Sequence, residues 1–228
     1  GPARIRNFLI SLAQDRYCLL MDVDTFPTGD SFMDKYIKSA KAGSIICGGF
    51  IYKRGKDTGV CPLRFKYGIE VEEKDFKVRA KEPYSQFISM CFLADKEIFK
   101  RVSFNEKMHF GYEYACFGME LEKNHIPVIH IENSVYHLSL EDSTTYLRKI
   151  EQSIRNIIPH MERLRPFIRL LKWQGKIDKF HLTWLTGFIF LLSNPLLRSN
   201  LIGKHPNLHL FAFYKLGYLC RMLTTGKR

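Results

Sequence analysis

The sequence lacks the features that would assign it at once to a secreted, zinc-binding or membrane-spanning class. Its six cysteines contain no C-x-x-C pair and lie mostly within apolar runs, so we expect small buried thiols in a reducing cytosol. No secretory signal, internal repeat or low-complexity tract is visible. The longest apolar stretch, residues 182–192, is shorter than the roughly 20 residues that cross a bilayer. At 228 residues and 46% hydrophobic, the chain is predicted to be a globular protein of the cytoplasm.

Acidic residues are scarce in the C-terminal part. Residues 146–228 hold 15 Lys and Arg against 3 Asp and Glu, whereas residues 1–145 hold 20 of each class. The net charge of +12 therefore lies entirely in the last segment. We predict a body of balanced charge over 1–145 and a basic helical extension over 146–228 that meets an anionic partner, such as phospholipid head groups or nucleic acid. A solvated basic face without a partner is the alternative.

The most informative stretch is the apolar run 17–21, which ends in Asp22-Val-Asp24. It predicts a buried strand with two carboxylates at its C-terminal tip. Strands of open α/β sheets present ligands at this edge, and the acids can share a divalent cation together with bound phosphates. The pattern therefore indicates nucleotide-sugar chemistry. The alternative is that both acids only end the strand and begin a turn over 25–30.

Elsewhere, the periodicity predicts an α/β layer fold with a mixed sheet flanked by helices. A helix over 3–14 is expected to bury the face that carries Ile5, Phe8, Leu9 and Leu12. The other expected helices cover 31–40, 96–101 and 115–123, and Asp95 is the expected cap of the second of these. The other expected strands cover 44–52, 87–93 and 126–131, and two glycines interrupt the first of them. Residues 53–83 are polar and aperiodic, which predicts a long loop excursion.

The basic extension is predicted to be helical. A helix is expected over 146–173, interrupted at Pro159 and Pro166, and two apolar helices follow at 180–192 and 208–223. The aromatic residues of the last helix either pack in a core or contact lipid; they are Phe211, Phe213, Tyr214 and Tyr218.

Two further positions support the carboxylate pair. Glu113 lies between aromatic and glycine residues at the start of a helix, where a carboxylate can have a raised pKa and act as a general base, or can simply favour the helix dipole. His137 follows the strand over 126–131, where an imidazole can complete the coordination of a cation or serve a structural role.

Taken together, these segments resemble the second part of a family 2 glycosyltransferase of GT-A fold, of the bacterial cell-surface polysaccharide type. The resemblance covers roughly residues 1–150. The segments that carry it are 1–7, Asp22-Val-Asp24, Gly48-Gly49, 63–68, 111–118 and 129–137. The half of the family's domain that normally precedes them, with its nucleotide-binding wall, has no counterpart in this sequence.

The resemblance implies an inverting hexosyltransferase that uses Mn²⁺ or Mg²⁺. The resemblance implies that Asp22 and Asp24 bind the cation and the donor diphosphate, and that His137 is a further ligand of the metal. Arg4 and Asn7 would approach the nucleotide. The expected partners are a nucleotide-diphosphate sugar, a saccharide or lipid-linked acceptor, and the inner face of the cytoplasmic membrane, contacted peripherally through 146–228; no nucleic acid is expected.

One departure from the family concerns catalysis. The family usually has Glu-Asp where this chain has Glu113-Tyr114, and the Asp is generally the base. A tyrosine with an ordinary pKa near about 10 stays protonated at neutral pH, so the role falls to Glu113 or catalysis is impaired. The alternatives are therefore a sugar-nucleotide or polysaccharide-binding module of the same fold, or a basic membrane-surface interaction protein.

Overall fold

A computed structural model describes residues 1–54 and 61–226, which form two compact units. The first unit contains residues 1–54 and 68–139, and the second contains residues 61–67 and 140–226. Helices flank two mixed β-sheets in the first unit, so the predicted α/β class is confirmed.

The first unit holds every strand of the described chain. The strands are β1 (Tyr17–Met21), β2 (Thr25–Pro27), β3 (Ile45–Cys47), β4 (Phe50–Tyr52), β5 (Cys91–Asp95), β6 (Val128–His130) and β7 (Val135–His137). The larger sheet has the order β1-β5-β3-β6, with antiparallel pairing except between β3 and β6. The smaller sheet has the order β2-β7-β4, in which β7 runs antiparallel to β2 and parallel to β4.

The α-helices of the described residues divide between the units. In chain order they are α1 (Pro2–Leu12), α2 (Phe32–Ser39), α3 (Pro62–Tyr67), α4 (Phe76–Lys81), α5 (Glu113–Lys123), α6 (Ser143–Ile157), α7 (Met161–Leu164), α8 (Arg169–Lys179), α9 (Thr183–Ile202) and α10 (Leu208–Thr225). Short 3₁₀ turns cover Lys96–Lys100 and Ile158–His160, and a π-helical turn covers Gly68–Glu72. Helices α3 and α6 to α10 form the second unit.

The core of the first unit is aromatic. The ring of Phe117 from α5 stacks on Phe104 with centroids 4.0 Å apart, and it also contacts the rings of Phe87 and Phe99 at 5.4 and 6.0 Å. Apolar residues of β1, β3 and β5 complete the cluster. Burial of aromatic surface on this scale anchors both the sheet and the start of α5, which carries Glu113.

Helix α1 forms where predicted, but the prediction of its buried face was wrong. Ile5, Phe8, Leu9 and Leu12 are between 54% and 61% exposed, and the helix instead buries Ala3, Arg6 and Ile10. The buried set follows i, i+3 and i+7 spacing on the opposite side of the helix. Because this face delivers the Arg6 guanidinium to the buried Glu113 and the partly exposed Asp22, ion pairing rather than the apolar stripe sets how α1 packs.

The two glycines predicted to interrupt a strand separate two strands of different sheets. Gly49 has φ +86°, and a Cβ there would lie 2.5 Å from the Arg79 guanidinium carbon. That guanidinium donates to the carbonyls of Gly48 (2.9 Å) and Ile131 (3.1 Å). It also contacts His130 Nδ1 at 3.0 Å. Arg79 therefore holds the chain at the point where it leaves β3 and enters β4.

The loop predicted for 53–83 was wrong for residues 61–83; residues 55–60 lie outside the described part. Helix α3 starts with Pro62 in its first turn, where the missing N–H is not needed. Helix α4 starts after Asp75, whose side chain accepts from Lys77 N at 2.8 Å. The sequence therefore contains a helix-start signal for each helix, Pro62 and Asp75. The prediction missed both helices because they are too short to show a helical period of apolar residues.

Three smaller predictions can be scored. Asp95 caps the turn after β5, accepting from Glu97 N at 3.1 Å, as expected. All six cysteines are buried and free, as expected. Strand β5 covers Cys91–Asp95 instead of 87–93, because its pairing with β1 begins at Cys91 and ends with Asp95 opposite Tyr17.

The second unit is a helical assembly in which the prolines act as predicted with one exception. Pro159 lies in the 3₁₀ turn after α6, and Pro166 lies between α7 and α8. The exception concerns the helix predicted to end at 192, which continues through Pro195 at an exposed position of α9. Helix α9 is therefore longer than the apolar run 182–192, and within the described residues it is the one helix whose length and composition would allow a membrane crossing.

We predict that Arg79→Ala will lower the free energy of unfolding by about 3 kcal/mol, because it leaves several buried carbonyls without donors. Lys77→Ala, at an exposed position of the same helix, is the matched control and should change stability by less than about 0.5 kcal/mol. Chemical denaturation followed by circular dichroism measures both. Equal effects in the two variants would contradict this role for Arg79.

Candidate active site

The candidate site lies where β1 and β7 end. Thr25 closes the turn after β1, since both its hydroxyl (2.6 Å) and its N–H (3.1 Å) donate to the carbonyl of Asp22. Thr25 is also the register partner of His137, and Leu138 N donates to Asp24 O at 2.9 Å. These contacts place Asp24 Oδ2 3.2 Å from His137 Nε2, so two residues 113 positions apart in sequence become neighbours.

Arg6 connects this pair of strands to α5. Its Nη2 donates to Asp22 Oδ1 at 2.7 Å, and its Nη1 lies 3.5 Å from Glu113 Oε1. The guanidinium is buried and also lies over the Phe104 ring, 5.7 Å from the centroid. One cation is therefore shared by two carboxylates that come from different elements, a strand tip and a helix start.

Glu113 is the most enclosed acid of the cluster. It is buried at the first position of α5, and its Oε2 has no hydrogen-bond partner among the described residues. Burial raises the pKa of Glu113, and the field of Asp22 raises it further, although Arg6 opposes both effects. A buried carboxyl with a raised pKa and one oxygen without a partner is suited to accepting a proton.

The backbone before Glu113 is strained. Gly111 has φ +73° and Tyr112 has φ +63° with ψ +3°, so a bulky residue adopts the left-handed region immediately before the helix. Such a conformation costs of order 1–3 kcal/mol and is typical of functional sites, where the surroundings hold it in place. This backbone conformation sets the direction in which α5 starts and presents Glu113.

Asp22 and His137 are each fixed by their surroundings. Burial raises the pKa of Asp22; the Arg6 ion pair lowers it and the charge of Asp24 raises it. The ring of His137 packs edge-on against Tyr52, with centroids 5.6 Å apart, and Tyr52 donates a hydrogen bond to Glu72. The imidazole is thus held on one side by an aromatic ring and meets Asp24 on the other.

The structure brings together four of the six residues predicted from sequence. Arg6 pairs with Asp22 and Glu113, and Asp24 contacts His137. The charges of Asp24 and His137 act on Asp22, so the four predicted residues form one electrostatic network. The exposed Arg4 makes no contact with this network in the described structure. Asn7 also stays outside the network. Its amide donates to Phe104 O at 2.9 Å and accepts from Phe104 N at 3.0 Å, so it anchors a loop.

Arg6 is the site residue that sequence reasoning missed. The signal was available, because Ala3, Arg6 and Ile10 have the spacing of one helix face, although the face is narrow and contains a charge. The larger set of apolar residues lies on the other side of α1, so a prediction of the buried face from hydrophobicity selects that side. An arginine on the buried face of a helix indicates a carboxylate partner, because a charged side chain is almost never buried unpaired.

The donor set fits a hard divalent cation in part. Carboxylate oxygens and an imidazole nitrogen suit Mn²⁺, and Mg²⁺ commonly uses one or two carboxylates together with substrate phosphates and water. Within residues 1–54 and 61–226, no three His, Cys, Asp or Glu side chains already enclose a cation-sized space. The residues that would hold a cation are Asp24 and His137, with Asp22 beside them.

No family model matches the chain, and no curated protein matches its sequence.

We predict that Arg6→Ala will lower the free energy of unfolding by about 3 kcal/mol, because it leaves Glu113 as a buried charge without its partner. Arg4→Ala, two positions away on the exposed side of α1, is the matched control and should change stability by less than about 0.5 kcal/mol. Urea denaturation at neutral pH measures both. Equal stability of the two variants would contradict the central position of Arg6.

The raised pKa of Glu113 predicts how stability depends on pH. The folded protein binds this proton more tightly than the unfolded chain, so the stabilising contribution is complete below the ordinary value of 4.5 and is lost as pH rises through the raised pKa. Glu113→Gln does not titrate. Its stability relative to the wild type should therefore increase across this window and then level off.

Thermal melts from pH 4 to 8 measure this difference, with Glu122→Gln, at an exposed position of the same helix, as the control. A difference that falls with rising pH would show that the pKa of Glu113 is lowered in the folded protein.

Proposed function

We propose that the chain is an inverting, metal-dependent glycosyltransferase of GT-A type. It transfers a hexosyl group from a nucleotide-diphosphate sugar to a saccharide or lipid-linked acceptor in cell-surface polysaccharide synthesis. The observation that supports this most is the electrostatic network in which Arg6 pairs with Asp22 and Glu113 while Asp24, in contact with His137, acts on Asp22. It combines an anionic site at a strand tip with a nearby proton acceptor, the two requirements of glycosyl transfer to a hydroxyl.

The chemistry assigned to these residues is a single displacement. Glu113 Oε2 accepts the proton of the acceptor hydroxyl as its oxygen forms a bond to the anomeric carbon. The bond from that carbon to the diphosphate oxygen breaks, and the nucleoside diphosphate leaves with the electron pair. A divalent cation, which Asp24 and His137 would hold, would neutralise charge on the leaving diphosphate. Attack from the face opposite the leaving group inverts the configuration.

Arg6 positions both halves of this arrangement. Its contact with Glu113 uses Oε1 and leaves Oε2 for the proton, and its contact with Asp22 holds Oδ1 of that carboxylate at 2.7 Å. Arg6 is therefore a positioning residue that separates the proton acceptor from the anionic site while fixing both.

A sugar-nucleotide-binding module without transferase activity is the second candidate, favoured by Tyr114. The side chain of Tyr114 packs against the aromatic core of the first unit. An aspartate at position 114 would lose this packing and would place a charge against the aromatic core. The tyrosine found there therefore serves the packing of the first unit rather than catalysis. Binding of the donor without transfer would identify this candidate.

Binding is tested by calorimetric titration of the chain with UDP, GDP and other nucleoside diphosphates, with Mn²⁺ or with a chelator. We expect binding that requires Mn²⁺ and that weakens about tenfold or more in Asp24→Asn. Asp30→Asn, at an exposed position shortly after β2, is the matched control and should bind like the wild type. Binding that persists in the chelator, or that is equal in both variants, would contradict the assigned site.

Transfer is tested by the release of nucleoside diphosphate from donor sugars with Glu113→Gln. Loss of a general base should lower the turnover number by about 100-fold or more while the calorimetric affinity for the nucleotide stays near that of the wild type. Donor binding without turnover in the wild type supports the binding module. A fully active Glu113→Gln would exclude Glu113 as the base.

A further inference from the structure

Helix α9 presents a continuous apolar face to solvent. Leu196 is 77% exposed, Leu192 67% and Trp184 62%, and Phe188, Leu191 and Ile202 lie on the same side of the helix. At 1.5 Å per residue the 20-residue helix is about 30 Å long. Monomeric soluble proteins seldom leave an apolar face of this length in water, so it indicates an interaction surface.

The opposite face of α9 is committed to α10. Phe190 packs edge-on against Tyr214 and Tyr218, with ring centroids 5.3 and 6.1 Å away. A Cβ at Gly217 would lie 2.6 Å from Phe190, so this glycine is required for the close approach of the two helices. Of the four aromatics for which core packing or lipid contact was predicted, Phe211, Tyr214 and Tyr218 are buried and pack in the core, whereas Phe213 is half-buried.

Exposed basic residues lie beyond both ends of the apolar face. Lys176 and Lys179 precede it at the end of α8, and Lys204 follows it. Lys176 Nζ lies over the Trp173 ring, 4.6 Å from the centroid. From residue 163 to the end the sequence has 12 Lys and Arg against one acid, Asp178. An apolar face between basic ends is complementary to a bilayer surface that carries anionic head groups.

The buried side of α9 favours an orientation parallel to the membrane. Arg198 of this helix donates to Glu151 Oε1 at 2.9 Å and to the Tyr214 hydroxyl at 2.8 Å. A membrane-spanning α9 would carry this charged network into hydrocarbon, which is costly. A helix lying in the plane immerses only its exposed face and leaves the network inside the protein.

We propose that the exposed face of α9 is a docking surface for anionic phospholipid membranes, in which the helix lies in the plane of the interface. The aromatic and leucine side chains enter the acyl boundary, and the lysines at both ends contact the head groups. This surface is independent of the proposed transfer reaction, so vesicle binding and nucleotide binding can fail separately.

Co-sedimentation with vesicles tests the surface. The full chain should bind vesicles of phosphatidylcholine with about 30 mol% phosphatidylglycerol at least about tenfold more tightly than pure phosphatidylcholine vesicles, and added salt should weaken this binding. Equal binding to both vesicles would overturn the assignment of an anionic partner. Failure to bind either would overturn the membrane as occupant, and a dimer on size exclusion would then assign the face to a second copy.

Variants locate the contact. Phe188→Ser with Leu192→Ser should weaken partitioning about tenfold or more, and Lys176→Glu with Lys179→Glu should remove the preference for anionic lipid. Phe8→Ser with Leu9→Ser removes comparably exposed apolar groups from α1 and is the matched control. Circular dichroism and thermal melts confirm folding of each variant. Equal losses in the α1 and α9 variants would indicate nonspecific hydrophobic adhesion.

Fluorescence measures the depth of α9. The chain has two tryptophans, so Trp173→Phe leaves Trp184 as the sole reporter. The emission of Trp184 should shift to shorter wavelength on vesicles and should be quenched more strongly by lipids brominated near the head group than by lipids brominated near the chain end. Stronger quenching by the deep label would contradict the in-plane orientation, and an unchanged spectrum would contradict membrane contact by α9.

Discussion

The buried guanidinium of Arg6 joins carboxylates from two separate elements, Asp22 at the tip of β1 and Glu113 at the start of α5. Without this cation, two acids with raised pKa values would lie close together in a poorly solvated region, and mutual repulsion would separate the elements that carry them. The same interaction determines which face of α1 is buried. Charge pairing in a confined space thus sets both local packing and the geometry of the candidate active site.

Other features of the first unit fix the direction of the functional groups around that pair. The left-handed Tyr112 sets the start of α5, and β7 carries His137 between β2 and β4, where Tyr52 packs against the imidazole. Backbone strain and desolvated carboxylates both lower stability. Sites that retain such costs are those in which preorganisation is useful, because groups already held in place need no rearrangement when a ligand binds.

Local signals in the sequence predicted much of the first unit. The apolar run before Asp22 predicted β1, although the prediction of a fully buried strand was wrong, because β1 lies at the sheet edge and only Cys18 and Leu20 are buried. Asp95 predicted the capped turn after β5. The ion pair of Arg6 with Glu113 joins positions far apart in sequence and was not predictable. Arg6 was therefore missed as a site residue, and the wrong face of α1 was predicted to be buried. The contact of Asp24 with His137 depends on the pairing of β2 with β7, which no local pattern encodes. In the second unit, the pattern of α10 did not reveal that α9 would cover its aromatics.

The central claim is that a cation bound at Asp24 and His137 also holds the diphosphate of a nucleotide. Electron–nuclear double resonance of Mn²⁺ added to the chain with UDP tests this in a single complex. The account predicts a ¹⁴N coupling from an imidazole together with a ³¹P coupling from the diphosphate, and loss of the ¹⁴N signal in His137→Ala. A Mn²⁺ complex that shows phosphorus but no nitrogen coupling, with a spectrum unchanged in His137→Ala, would contradict it.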